Sequence, residues 1–297
     1  MDAGHVAHSA DIPRAQSGTN SQRLLAAMFA DFTFESAGRF PSAAITKALG
    51  DFGISEAGAR SALSRVTRRG LLVPSREGRM TFYTVSEQNL TIRLDRLRRY
   101  LRFGEQRSAW DGRWTVAVFS VSEPQRSVRP KLRAALEKLG MAPMADAVWV
   151  TPHDKRAECL ALRDEFAVPL AVMYAEFEPG GDDLAPEHAF DLAPIGDGYR
   201  EFIETWRPLL LRSREGSVEP SEAFVARVRM LDEWRRLVLT DPDLPVELLP
   251  TDWPRADARQ VFVELWRDFG PLALVRLRQI VREFDPEAAS RLKHHDL

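Results

Sequence analysis

Residues 55–86, SEAGARSALSRVTRRGLLVPSREGRMTFYTVS, carry the pattern that decides the fold near the start of this chain. Ser55 stands where a helix can be capped, and the acidic residue after it suits the helix dipole. Gly70 is typical of a helix end. Between them, apolar residues recur on one helix face: Ala59, Leu63 and Val66. The strand-like runs LLVPS and MTFYTV then flank a turn at Gly78, so the stretch predicts a helix followed by a two-stranded hairpin.

The other face of this predicted helix is basic and rich in hydroxyl groups. Arginine forks can reach guanine edges or phosphates, and short hydroxyl side chains permit a close approach to DNA. Arginines also flank the turn of the hairpin, where they can meet phosphates or a minor groove. The sequence therefore predicts DNA contacts from the helix residues Arg60, Ser61, Ser64, Arg65 and Arg68 and from the hairpin residues Arg76 and Arg79.

Two further helices are predicted upstream, in SQRLLAAMFADF (21–32) and PSAAITKALG (41–50). With the basic third helix and the basic hairpin tip, they predict a winged helix-turn-helix at residues 20–86. The alternative is a small folded unit with scattered arginines. The polar residues 1–19 are expected to form a disordered tail. The basic amphipathic run after the hairpin predicts a linker helix at 87–109.

The positive charge of the chain is concentrated in the same region. Residues 55–107 carry a net charge of +7, whereas residues 1–54 carry −1 and residues 108–297 carry −8, within a total of −2. A basic block inside an acidic chain favours a polyanion-binding face confined to one domain. A solvated basic helix surface would give the same charge distribution, so charge alone leaves both interpretations open.

The central residues alternate strand-like and helical patterns. Continuous apolar runs in RWTVAVFSV (113–121), DAVWVTP (146–152) and VPLAVMYAEFE (168–178) predict buried strands, and two helical segments separate them. This order predicts a ferredoxin-like α/β domain at residues 110–180. An acidic linker rich in glycine and proline follows at 181–197.

Residues 198–297 are predicted to be mainly helical, because apolar residues recur there at helical spacing. A break is expected at Gly270 and Pro271. The fold class predicted for the whole chain is therefore α+β. It comprises an N-terminal winged helix-turn-helix, a central ferredoxin-like α/β domain and a C-terminal mainly helical domain.

Four segments in this order resemble the PaaX-like family, the repressors of phenylacetic-acid catabolism operons. They are residues 59–86, WDGRWTVAVFSV (110–121), DAVWVTP (146–152) and TDPDLPVELLPTDW (240–253). The resemblance implies the three-domain arrangement above and a homodimer that represses transcription. It implies the same DNA contacts, with Ser55 and Arg69 added to them. It also implies release from DNA by an aryl-acyl-CoA thioester, typically phenylacetyl-CoA. Two subunits each placing a helix in double-stranded DNA predict an operator that is an imperfect inverted repeat.

The sequence indicates the effector site less clearly than the DNA contacts, because no motif identifies the acyl group. A coenzyme A ester is polyanionic and contains an adenine, so its site should offer several basic side chains and a stacking ring. The candidates are Trp206 with Arg207, and Trp234 with Arg235 and Arg236. Packing in a helical core would explain the two tryptophans equally well.

The alternative function is a metal-dependent DNA-processing nuclease, because the predicted central fold also resembles the CRISPR spacer-acquisition nuclease. That enzyme places a metal-binding aspartate at the end of its first strand, where carboxylates hold Mg²⁺. Here Ser120 and Ser122 stand at that point, and Glu123 is the only carboxylate near. The sequence therefore disfavours this alternative.

Signals for other enzymes, metals and membranes are weak. The motifs GxSxG, GxxxxGK[ST] and HExxH do not occur. His153 near Cys159 could indicate a thiol nucleophile, but surface and core positions explain both residues more simply. We expect no enzymatic activity, no cofactor and no metal. The single cysteine fits the reducing cytoplasm, and no apolar run approaches the ~18 residues of a membrane helix.

Overall fold

The computed structural model of the chain describes residues 19–34, 38–105, 109–178 and 185–296, and it leaves out the side chains of residues 19, 20 and 87–90. The predicted disordered tail therefore lies outside the described residues, except that Thr19 begins the first helix. Residues 181–184 of the predicted acidic linker also lie outside them.

The chain divides into two compact units that do not follow the chain order. Unit 1 is assembled from three pieces of chain: Met1–Phe103, Tyr199–Val238 and Arg255–Leu297. Unit 2 consists of Gly104–Gly198 and Leu239–Pro254. The segment predicted to bind DNA thus shares a unit with most of the C-terminal helices. The mixture of helices with small sheets confirms the α+β class.

The described residues of the N-terminal piece of unit 1 form four helices and four short strands. The helices are α1 (Thr19–Asp31), α2 (Ser42–Gly50), α3 (Glu56–Arg68) and α4 (Glu87–Arg102). The strands are β1 (Phe32–Phe34), β2 (Phe40–Pro41), β3 (Leu72–Glu77) and β4 (Met80–Val85). Strands β2, β4 and β3 form an antiparallel sheet in that order. The hairpin β3–β4 turns at Gly78, whose φ of +58° suits glycine.

The remainder of unit 1 is helical, with one short strand. It comprises α7 (Ala193–Arg214), α8 (Pro220–Thr240), α9 (Arg255–Arg282), α10 (Pro286–Arg291) and β9 (Leu292–His294), although the first residues of α7 and the last two of α8 are assigned to unit 2. Strand β9 pairs antiparallel with β1, with Thr33 opposite Lys293.

The break expected at Gly270 and Pro271 is wrong, because α9 continues through both residues. Gly270 serves close packing instead of ending the helix. A β-carbon there would lie 2.5 Å from His294 Cε1 and 3.0 Å from Arg227 Nη1. A glycine in a helical pattern can therefore mark an approach of neighbouring side chains as well as a helix end.

Two of the ion pairs that join the pieces of unit 1 are bidentate. Asp31, the last residue of α1, accepts two hydrogen bonds from the Arg227 guanidinium of α8, at 2.6 and 2.9 Å. Asp51, just after α2, accepts two from Arg276 of α9, at 2.7 and 2.8 Å. Each is a bidentate arginine–carboxylate pair, the geometry that fixes orientation as well as distance.

Unit 2 is built around a four-stranded antiparallel sheet. Its elements are β5 (Trp114–Phe119), α5 (Arg129–Lys138), β6 (Ala142–Ala145), β7 (Val148–Thr151), α6 (Arg156–Phe166) and β8 (Leu170–Ala175), with a 3-10 turn at Glu123–Val128. The strand order is β6-β7-β5-β8. Residues of α5 and α6, including Leu132 and Cys159, share a core with Phe119 and Trp149 of the sheet.

Strand β6 was not predicted from the sequence. It is short, lies at the edge of the sheet and contains Pro143. Proline cannot donate a ladder hydrogen bond, and edge positions tolerate that loss. Its sequence, APMA, lacks the β-branched and aromatic residues by which strands are recognised.

Candidate nucleic-acid interface

Helix α3 presents a cationic face to solvent. Ser55 caps the helix by accepting a hydrogen bond from the Gly58 backbone nitrogen at 3.2 Å. The inward face is fully buried and consists of Ala59, Ala62, Leu63 and Val66. On the outward side the structure places the predicted contacts Arg60, Ser61, Ser64 and Arg68, all exposed, and Arg65, which is half-buried.

The arginines of α3 differ in how far their charge is already neutralised. Arg60 pairs with Glu56 one turn earlier at 3.1 Å, and both side chains are well exposed. Such an exposed pair is worth little, so Arg60 can exchange Glu56 for a phosphate at small cost. Arg65, Arg68 and Arg69 form no ion pair within the described ranges. Their guanidinium groups therefore remain available to an anionic partner.

The hairpin extends this cationic surface. Arg76 on β3 and Arg79 in the turn are both exposed. The only acid of the hairpin, Glu77, pairs with Arg39, whose guanidinium also lies over the Phe82 ring at 3.9 Å from its centroid. Arg39 thus offsets the negative charge on the hairpin that would repel a phosphate. The sequence analysis missed this residue, which lies 38 positions before its partner.

A glycine turn connects α3 to the hairpin. The Gly70 backbone nitrogen donates to Thr67 at 2.8 Å, and the Leu71 nitrogen donates to Val66 at 3.2 Å. Gly70 has a φ of +69°, which an L side chain would disfavour. Leu72 and Phe82 are buried. These contacts hold the hairpin beside the C-terminal end of α3.

The structure places both predicted effector tryptophans in the core of unit 1. Trp234 is completely buried, stacks on Phe262 at 4.8 Å and donates from Nε1 to the Tyr100 carbonyl at 2.8 Å. Trp206 is also buried and donates to Glu233 at 2.7 Å. Neither ring has an exposed face on which a ligand could stack.

The arginines paired with these tryptophans have different surroundings. Arg207 is exposed on α7. Arg235 donates to Asp232 at 2.8 Å, and Arg236 lies 4.0 Å from the same carboxylate. The structure does not bring Arg207 and Arg235 to one described cleft. An effector role for the five residues stays a prediction.

Glu123, Cys159 and His153, the candidates for nuclease or thiol chemistry, all make contacts of an ordinary structural kind. Glu123 lies 3.6 Å from Arg126 in an exposed ion pair. Cys159 is fully buried, and burial raises the pKa of its thiol to about 11. His153 contacts the Pro242 carbonyl at 3.2 Å. Within the described ranges, no three His, Cys, Asp or Glu side chains come together in a group that could hold a metal ion.

None of the described helices combines the length with the apolar character that crossing a bilayer requires.

Family models match the chain in three consecutive segments. The model described as "PaaX-like protein" matches residues 20–89, "PaaX protein central Cas2-like domain" matches 107–187, and "PaaX-like protein C-terminal domain" matches 190–278. Among curated proteins, the chain is similar to "Transcriptional repressor PaaX" of Escherichia coli (strain K12). The two are 28% identical over 271 residues, which cover 87% of this chain and 82% of that protein.

Among solved structures, the chain is similar to the uncharacterized protein Rv0674 from Mycobacterium tuberculosis. The TM-score is 0.54 at 24% identity, with 86% of this chain and 95% of the other covered. This likeness concerns the fold alone. The three family matches follow one another along the chain between residues 20 and 278, and the alignment with the E. coli relative covers 87% of the chain. The chain therefore belongs to the PaaX-like family.

Proposed function

We propose that this chain is a DNA-binding transcriptional repressor and that it acts without catalysing a reaction. The observation that carries the proposal is the cationic surface of α3 and the hairpin. Arg65, Arg68 and Arg69 carry charges that no described carboxylate neutralises, and Arg76 and Arg79 are exposed beside them. The name of the E. coli relative, a transcriptional repressor, supports the same function.

We assign residues 20–86 to a winged helix-turn-helix. Three helices, α1 to α3, precede a hairpin whose second strand, β4, lies at the centre of the sheet and also pairs with β2. In this assignment α3 enters the major groove, and the hairpin is the wing that contacts the phosphate backbone. Ser55, Ser61 and Ser64 then lie on the α3 side of the contact, and Arg76 and Arg79 on the wing.

We assign residues 110–180 to a ferredoxin-like domain. The chain runs strand, helix, strand, strand, helix, strand, and the sheet order is β6-β7-β5-β8 with all neighbours antiparallel. That connectivity is the split βαβ pattern, in which the first and third strands are central. The linker helix at 87–109, the linker at 181–197 and the helical domain at 198–297 complete the proposed division of the chain.

The finer functional assignments rest on family membership. We infer that the protein acts as a homodimer on an imperfect inverted repeat and controls a phenylacetate-type catabolic operon. An aryl-acyl-CoA such as phenylacetyl-CoA is the inferred effector that releases it. A repressor works where its operator is, so the proposal places the protein in the cytoplasm.

Selection of binding sites from a pool of random DNA duplexes tests the proposal. We expect recovered sites to share an inverted repeat whose half-sites are separated by whole helical turns. Affinity for such a site should fall by ~10³-fold or more between 50 and 200 mM salt if 6–10 phosphates are contacted. Failure to enrich any sequence would contradict the proposal.

A DNA duplex that contains a selected site distinguishes the repressor from the nuclease alternative. It is incubated with the protein in Mg²⁺ and, in parallel, in EDTA. The repressor should bind in both conditions and leave the strands intact. Cleavage that needs Mg²⁺ and disappears in Glu123→Ala would overturn the proposal in favour of the nuclease.

A further inference from the structure

A cleft of about 280 Å³ opens in unit 1 where α1, α3, α4 and α8 meet. Its floor is apolar and includes four buried side chains, which are Ala27, Val66, Leu97 and Leu231. Its walls contain arginines from all four elements: Arg23, Arg69, Arg93, Arg96 and Arg235. An apolar floor beneath several cationic groups is the arrangement that binds a ligand with an apolar body and an acidic group.

Two of these arginines are already paired within unit 1. Arg235 donates to Asp232 at 2.8 Å, and Arg23 Nε lies 3.6 Å from the same carboxylate. Asp232 is the only acid they share and is itself buried. Their charges are therefore partly neutralised by the protein.

The other three arginines have no such neutralisation. Arg69, Arg93 and Arg96 form no ion pair in the part of the chain that the structure describes. The nearby acid Asp95 of α4 is directed to Arg98 at 3.2 Å. The cleft therefore holds three uncompensated positive charges at its mouth and wall, which favours entry of an anion.

Arg93 lies deepest among the three. Its Nη1 atom is shielded from solvent and has no hydrogen-bond partner among the described residues. Burial, and the charge of Arg96 beside it, lower the pKa of Arg93. A guanidinium nitrogen that is shielded from solvent and has no partner is unfavourable, and an anion that accepts its hydrogen bond removes that penalty.

We propose that this cleft binds a small organic anion, with its acidic group between Arg93 and Arg96 and its apolar body on the floor. The volume is just below the usual range of ligand pockets, ~300–1,000 Å³. The cleft can therefore enclose an aromatic ring or short acyl chain with one carboxylate or phosphate. A larger thioester would place only one end inside.

The cleft also touches the proposed DNA-binding helix. Val66 belongs to α3, and Arg69, a predicted DNA contact, is the residue that caps its C-terminal end. An anion held near Arg69 competes with a DNA phosphate for the same guanidinium and lowers the affinity for DNA. This regulatory consequence rests on the proposed function, whereas the binding itself does not.

Titration calorimetry on the full chain without DNA tests the binding. The probes are phenylacetyl-CoA, phenylacetate, free coenzyme A and phenylacetamide, which keeps the ring of phenylacetate but lacks its charge. We expect at least one anionic probe to bind, and phenylacetamide to bind at least tenfold more weakly than phenylacetate if the small acid is the ligand. Binding by free coenzyme A alone would assign the site to the phosphates. Failure of every anionic probe to bind would overturn the proposal.

Two arginines of α4 provide the matched variants. Arg93→Gln removes the charge of this half-buried side chain and should weaken binding of the anionic probe at least tenfold. Arg102→Gln removes an exposed arginine of the same helix that does not line the cleft, and it should bind like the unmodified chain. Equal binding by both variants would overturn the assignment.

Thermal unfolding shows whether Arg93→Gln has a folding defect. Because Arg93→Gln removes a half-buried charge that no described carboxylate compensates, its melting temperature without ligand should equal or exceed that of the unmodified chain. A DNA-binding assay on the same samples separates the two proposals. If the chain binds the anion but not DNA, the cleft assignment holds and the repressor function is overturned. If the chain binds DNA but no anion, the repressor function holds and the cleft assignment is overturned.

Discussion

The Arg227 guanidinium and the Asp31 carboxylate form a bidentate ion pair in which both side chains are 0% exposed. The two residues are 196 positions apart in the chain. Arg227 also donates to the backbone carbonyls of Trp266 and His295. One side chain therefore joins the end of α1 to α8, α9 and the segment after β9.

Removal of one partner from this pair should be strongly destabilising. Asp31→Ala leaves the Arg227 charge buried without its counter-ion, so we expect the free energy of unfolding to fall by about 3–5 kcal/mol. Denaturant unfolding monitored by circular dichroism measures the loss. The exposed pair Lys47–Glu283 provides the control, and Glu283→Ala should cost no more than about 1 kcal/mol. Similar losses in the two variants would contradict the assigned role of burial.

The arginines of α3 and of the hairpin should affect DNA binding differently. Arg65→Ala should cost about 1–3 kcal/mol and relax the base preference, if Arg65 reads a base edge. Arg79→Ala should weaken binding to all sequences alike and reduce the salt slope by about one, if Arg79 contacts phosphate as proposed. Fluorescence anisotropy at several salt concentrations distinguishes the two effects. Arg126→Ala, an exposed arginine of unit 2, should leave both quantities unchanged.

Two glycine-to-alanine changes should have opposite effects. A β-carbon at Gly270 would lie 2.5 Å from the His294 ring, and we expect overpacking to cost about 1–3 kcal/mol. At Gly50, the last residue of α2, nothing lies within 4 Å, so Gly50→Ala should gain about 0.4–1 kcal/mol by restricting the unfolded chain. Thermal unfolding of both variants checks the signs. A stable Gly270→Ala would mean that His294 can move aside freely.

Acidic pH should lower the stability of unit 1, and His295 should contribute to this loss. Burial lowers the pKa of this imidazole; Asp31 opposes that shift, and the positive charges of Lys293, Arg227 and Arg98 add to it. The folded state thus binds the proton less readily than the unfolded state. Stability from this residue is therefore present above the ordinary pKa of 6.5 and is lost as the pH falls below it.

The comparison of His295→Gln with the unmodified chain isolates this contribution. Melting temperatures are measured from pH 8 to pH 5. The unmodified chain should lose more stability than the variant as the pH falls below about 6.5. Parallel curves for the two proteins would show that His295 is not the group responsible.

Local patterns in the sequence predicted local structure well. The cap at Ser55, the apolar stripe with Leu63 and Val66, and the turn at Gly78 all lie where they were expected. Each depends on residues within one helix or one hairpin, where spacing and turn chemistry decide the conformation. For the same reason, the exposed arginines of α3 could be identified in advance.

Features that depend on distant residues were not predictable in this way. Asp31 and Arg227 show no local sign of their pairing, and Arg93 has the same spacing as the exposed arginines of the basic helix. Its burial follows from the packing of α1 and α8 against α4, so the cleft emerges only in three dimensions. Helix α9 likewise continues through Pro271, and the spacing of apolar residues in the sequence does not show this.

The three-piece assembly of unit 1 has a consequence for how the protein is made. The ribosome produces the segment with α3 early, but Arg227, Arg276 and the strand that pairs with β1 come much later. Contacts over such sequence separations form slowly, since long loops must close first. A shortened translation product that stops before residue 227 would carry every predicted DNA-contacting side chain and still leave Asp31 without its partner. We therefore expect truncated chains to be degraded before they can occupy an operator.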